Sequence, residues 1–180
     1  GRVKPDIVAP ARSTSLASAM VSSACSMLVG WAHEEGPGIS RGFYSSPRSG
    51  RTVYHAEASE TIKAALMAGA DRHTANKLRR VGNIRDYRRN PKRRAENGLD
   101  TRYGAGQLNI YKSYQILAAG ERDSAQDSEG SGDGQGGRIG PSGFDYDPAF
   151  GGAAGSNRRA SYLFRAPGVG TRLRASLVWN

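Results

Sequence analysis

The chain has 180 residues, with 26 Lys and Arg against 16 Asp and Glu, a formal net charge of +10 and one cysteine, Cys25. A single cysteine excludes an internal disulfide and any CxxC metal or redox site, and this length points to one domain with an appendage. The charge is local: ten Lys/Arg stand against one acid between Arg72 and Arg94.

In chain order, Asp6-Ile7-Val8-Ala9 is a short run stopped by Pro10 and predicts a strand. Ser13-Thr14-Ser15 is a polar turn ahead of a small-residue apolar run, which predicts a helix over 16–32. Small residues nearly all round predict close packing on every side. Ser15, Ser18, Ser22, Ser23 and Ser26 make the run too polar for a membrane span. A Ser at a helix N-terminus is chemically useful, because the first N–H groups lack intrahelical partners and the dipole favours negative charge there. A hydroxyl beside such donors is half of what acyl transfer requires. The structural alternative is that Ser13, Thr14 or Ser15 is simply the N-cap.

Residues 36–55 predict a Gly/Ser/Pro loop with one short strand at Arg51–Tyr54. Ser59 then predicts the cap of a helix over Glu60–Ala68, burying Ile62, Ala65, Leu66 and Gly69 and stopped by Gly69. The basic segment follows, with Tyr87 as its only aromatic. One aromatic offers little base stacking, which favours a solvated insertion over a nucleic-acid site. A third helix follows Asn109, with Ile110, Tyr111, Tyr114, Leu117 and Ala118 on one face and Gly120 as its end.

Between Glu121 and Gly143 the composition turns to Ser, Asp, Glu, Gln and seven glycines, which predicts a flexible linker. Phe144–Pro148 opens a β part, in which Ala160–Arg165 and Leu173–Trp179 read as strands around a Pro167–Gly170 turn. Asp145 and Asp147 alone lack the further ligands calcium needs, so a solvated turn is expected there. His33, beside Glu34 and Glu35, reads as a solvated helix end. His55 and His73 have no ligand-like spacing, and no metal site is expected.

Three segments resemble the C-terminal third of the catalytic domain of subtilisin-like serine proteases. "KPDIVAP" followed by "STSLASAMV" resembles the family's KPDI-x-AP strand and GTS-x-A helix. Glu60–Leu66 resembles its E-x-I-K-A-x-L helix, and Tyr103–Asn109 resembles its (Y/F)-G-x-G-x-(V/L)-(N/D) turn, all in the family's order. The departures are Ser13 for Gly, Ala19 for Pro, Met20 for His, Ser23 for Gly and a connection of only Ala11 and Arg12 before Ser13.

The resemblance implies an α/β fold, the C-terminal portion of a doubly wound parallel sheet, with an incomplete β-sandwich after it. It divides the chain into 1–120 (catalytic-domain part), 121–143 (linker) and 144–180 (β-domain). It implies a serine endopeptidase with Ser15 as nucleophile, and Thr14 and Leu16 shaping the nucleophile turn against a protein or peptide substrate. The Asp and His of the triad precede the Ser in this family, so they are expected upstream of Gly1, and the chain is expected to be a fragment, inactive alone. No cofactor is expected, calcium being conceivable only in the parent protein. Neither a specific nucleic acid nor a membrane is expected as partner, and the parent is expected to be secreted. The alternative is a non-catalytic subtilase remnant whose basic segment or β-domain does the binding.

Overall fold

The computed structural model describes residues 5–77, 82–85, 91–124, 139–148, 150, 160–166 and 168–178. Arg79, Arg80, Asp86, Tyr87, Arg88 and Arg89 of the basic segment, 125–138 of the expected linker and Trp179 lie outside these residues.

Helix α1 runs over Thr14–Ile39, seven residues beyond the predicted end at Ala32. Gly30 does not stop it, and Gly36-Pro37-Gly38, expected in a loop, forms its last turn. Proline's missing N–H costs one intrahelical bond there, and the Ser40 N–H closes the helix on the Gly36 carbonyl. By length and composition alone α1 is apolar enough to cross a membrane, although its serines argued against a span. It is not packed all round: Ala24, Leu28, Ala32 and Gly36, one stripe repeating every four residues, are its buried positions. Leu16, Met20 and Met27 stand exposed.

The strand expected at Arg51–Tyr54 is half of a hairpin. Strand β1, Phe43–Ser45, pairs antiparallel with β2, Thr52–Tyr54, with Tyr44 opposite Val53. A 3₁₀ turn, His55–Glu57, leads into α2, Ser59–Gly69. Ser59 is the first helical residue rather than the cap. Ala58 holds the cap position, and the Ser59 hydroxyl donates to Glu60 instead. The buried face of α2 is the predicted one, with Thr61 added. Helix α3, Ile110–Ala118, starts as predicted at Asn109, whose side chain accepts the Lys112 N–H at 3.1 Å. Its buried residues are Ser113 and Leu117, whereas Tyr111 and Tyr114 are exposed. The Ser113 hydroxyl is satisfied by the Asn109 carbonyl, and Tyr114 meets Trp31 edge-on at 4.7 Å.

Leu28 and Ala32 of α1, Ile62, Ala65 and Leu66 of α2, Leu117 of α3, Ala56 and Phe144 form the core. Each large apolar side chain buried there contributes about 1.5–3 kcal/mol. Gly69 lets α2 and α3 approach closely, since a Cβ there would lie 2.7 Å from the Ser113 hydroxyl.

The Asp6–Ala9 run forms one parallel bridge, Val8 to Gln107, and Gln107 also bridges antiparallel to Asp71. At the far end, Phe144 pairs with Glu121, the Arg122 N–H donating to the Phe144 carbonyl at 2.6 Å. Tyr146 stacks on Tyr44. Residues 160–166 and 168–178 form no strand; the Leu163 carbonyl accepts the Ile139 N–H at 2.8 Å, and Leu173 and Leu177 are exposed. Alternation alone does not make a strand, because a strand exists through the ladder of its neighbour.

Candidate functional site

The Ser13–Leu16 turn is built by a sharp entry into α1. After Pro10 the Ala11 N–H donates to the Ala9 carbonyl at 2.9 Å, folding the short connection tightly on itself. Ser13 follows in extended backbone (φ −142°, ψ 160°), and its hydroxyl accepts the Leu16 N–H at 3.3 Å. Ser13 is therefore the N-cap, in the conformation that position takes.

Its capping leaves Ser15 free for other chemistry. Ser15 is the second helical residue, exposed, and no described side chain hydrogen-bonds its hydroxyl. The Thr14 and Ser15 N–H groups precede the first intrahelical donor, Ala17, which bonds the Ser13 carbonyl at 3.0 Å. They point outward as donors at the positive end of the helix. Leu16 is 56 % exposed, and its N–H is spent on the cap. Thr14 is exposed as well.

No general base stands beside Ser15 on α1. His33 is 18 residues further along, about 27 Å at the α-helical rise. It is not a solvated helix end: Nδ1 lies 3.0 Å from both carboxylate oxygens of Glu57. A carboxylate only accepts, so the ring carries its proton on Nδ1. Glu57 also accepts the Tyr54 N–H at 2.7 Å. His55 is engaged in the same way, its Nδ1 2.8 Å from Glu121, which also accepts the Arg41 N–H at 2.6 Å. These two His–carboxylate pairs, 24 and 66 residues apart in sequence, left no local sequence signal. His73 is exposed. Burial pushes the Cys25 thiol above its usual range, which keeps it protonated and a poor nucleophile.

The turn is fastened to the two other motif segments through Asp6. Its carbonyl accepts the Ala105 N–H at 2.8 Å, and its carboxylate lies 3.3 Å from the Lys63 ammonium on α2. Beside it the Val8 N–H donates to Gly106 at 3.0 Å, and the Leu108 N–H donates back to Val8 at 2.7 Å. Gly104 allows this approach: at φ +60°, a Cβ there would lie 2.3 Å from the Pro5 carbonyl oxygen.

No family model, curated protein or solved structure matches the chain. The site's chemistry therefore rests on its own residues.

Immediately before the Ser13–Leu16 turn lies an open depression of about 220 Å³, lined by Val8, Ala9 and Ala11 and by Ile84, Arg102 and Tyr103. Ser15 is not part of its lining. The Arg102 guanidinium sits 5.4 Å from the centre of the Tyr103 ring. Among the described residues no group of three or more His, Cys, Asp or Glu is placed to hold a metal ion. Asp145 is engaged by the Tyr162 hydroxyl at 2.6 Å. Burial raises its carboxyl above the usual range, the Tyr162 bond opposes that, and nearby Glu121, Asp123 and Asp147 add to it.

Proposed function

We propose that this chain carries the nucleophile segment of a subtilisin-type serine endopeptidase, with Ser15 as the attacking residue. One observation carries the reading. The three segments that resemble the family meet at Asp6, which holds Lys63, 57 residues on, through its carboxylate and Ala105, a further 42 residues on, through its carbonyl. The exposed Ser15 hydroxyl, beside free N–H donors in the first turn of α1, supplies the chemistry.

In this reading the Ser15 hydroxyl oxygen attacks the scissile carbonyl carbon while its proton passes to an imidazole. The Ser15 N–H holds part of the oxyanion, and the amine leaves with the proton. Water then releases the acyl group by the same steps in reverse. On this proposal the imidazole and its orienting carboxylate precede the serine, as the resemblance implies, and His33, about 27 Å along α1 from Ser15, is not that imidazole. The Val8–Gln107 parallel bridge belongs, on this proposal, to a doubly wound sheet, and the parent protein is secreted. The non-catalytic alternative is favoured by one observation, that no imidazole on α1 reaches Ser15.

Labelling with a fluorophosphonate probe separates the two. The protein expressed from its full reading frame should label, and Ser15→Ala should abolish labelling, as should omission of the upstream residues. Unchanged labelling in Ser15→Ala rules Ser15 out. A full-length protein that never labels leaves the binding-module reading.

A further inference from the structure

The open depression before α1 is bordered by positive charge with little to neutralise it. Arg102 lines it directly, Arg12 follows Ala11, and Arg85 follows Ile84. The backbone of Arg93 and Arg94 is tied to the same loop, the Thr101 N–H donating to the Arg93 carbonyl at 2.9 Å and Arg94 bridging Asp100. All five arginines are exposed, and none has a carboxylate partner among the described residues. Of the acids around the depression, Asp100, Asp71 and Asp6 are engaged elsewhere, and the exposed Glu96 is the one other described carboxylate of the Arg93–Asp100 loop. Asp100 is 1 % exposed, and one of its oxygens accepts the Arg102 and Tyr103 N–H groups at 2.7 and 2.8 Å. Asp71 is held by Lys112 and Asn109, and Asp6 by Lys63.

Asp100 therefore does two things at once. Its Oδ1 takes two backbone N–H groups and fixes the loop that presents Arg102, and its buried Oδ2, with no hydrogen-bond partner among the described residues, is turned away from solvent. The ring of Tyr103 beneath the guanidinium restricts that side chain further. A guanidinium held in this way loses less freedom on binding and offers paired donors matched to a carboxylate.

We propose that this depression is a subsite for an acidic side chain, Asp or Glu, of an extended peptide, with Arg102 as the specificity-determining cation. As a substrate subsite it rests on the protease reading above. The depression flanks the segment that runs into Ser15, so a peptide whose scissile bond reaches Ser15 passes beside it. The mixed lining suits a peptide: Val8, Ala9 and Ile84 offer apolar contact, and Arg102 offers one point of charge recognition. A nucleic acid would instead require several phosphate contacts and stacking surfaces.

The test uses the full-length protein carrying Ser15→Ala, so that binding is read without cleavage. Fluorescence anisotropy follows a labelled octapeptide containing two glutamates and its glutamine counterpart. The acidic peptide should bind at least about tenfold more tightly. Arg102→Gln should remove that difference and leave the glutamine peptide unchanged, and Arg102→Lys should restore part of it. Equal binding of the two peptides overturns the proposal, as does a preference that survives Arg102→Gln. An oligothymidylate that competes as tightly as the acidic peptide also overturns it, since the surface would then be an unselective polyanion binder. An Arg102-dependent preference in a protein whose wild type never hydrolyses peptides keeps the site and removes only the protease reading.

Discussion

Ser13 and Ser15 stand two residues apart and have separable roles, which mutation can read independently. Ser13→Ala removes the acceptor for the Leu16 N–H and should cost about 1 kcal/mol of stability in urea melts. Ser15→Ala, at an exposed hydroxyl with no described partner, should change stability by less than about 0.5 kcal/mol while abolishing probe labelling of the full-length protein. Gly104 is fixed by its surroundings. Its positive φ and the Pro5 and Asp6 carbonyls pressed against it should make Gly104→Ala destabilising by more than about 1 kcal/mol. Asp145 gives a pH dependence. Its carboxyl titrates above the usual range in the folded state because it is buried. The folded state thus binds the proton more tightly than the unfolded chain. The protonated form is favoured at low pH, and stability falls as pH rises through the window from the ordinary carboxylate value to the raised one. Asp145→Asn should shrink the drop in Tm between about pH 4 and pH 7, measured by thermal melts across that range.

At the scale of the element, α3 shows how periodicity is read and misread. A five-residue apolar face centred on Tyr111 and Tyr114 fits the helical spacing, yet the helix is rotated so that Ser113 and Leu117 face inward. The reason is steric: Gly69 of α2 admits the small Ser113, with its hydroxyl turned to the Asn109 carbonyl, and a tyrosine has no room at that crossing. Leu117→Ala should therefore cost about 2–5 kcal/mol, whereas Tyr111→Ala should cost under about 0.5 kcal/mol, both by chemical denaturation. The reverse order would place the tyrosine face inward. Helix α1 shows the same kind of contact at its end, where the missing Cβ of Gly36 makes room for the Tyr54 side chain, 2.3 Å from where a Cβ would stand.

For the whole molecule, the packed body runs past the change of composition at Glu121. Glu121 holds His55 and Arg41, Ser124 is buried, and Phe144 enters the core formed by the three helices. Phe144→Ala should lower stability by about 3 kcal/mol. Protease cleavage between residues 125 and 138, where Ser, Asp, Glu and Gly dominate, should give two pieces that co-elute on gel filtration and separate in denaturant. Separation without denaturant would mean that the Phe144 contact is too weak to hold 139–148 in place.

The sequence by itself carried the local information: where α2 and α3 lie, the Asn109 cap, the inward face of α2, and a helix N-terminus close to Ser15. These follow from spacing and capping over a few residues, which a linear reading captures. It did not carry the far end of α1, the partner strand Phe43–Ser45, the rotation of α3, or the choice among three neighbouring residues for the α1 cap. Nor did it show the pairs His33–Glu57 and His55–Glu121, or the loop in which Asp100 presents Arg102. Those depend on which surfaces meet, and residues far apart in the chain leave no periodic trace of a contact that exists only once the helices pack.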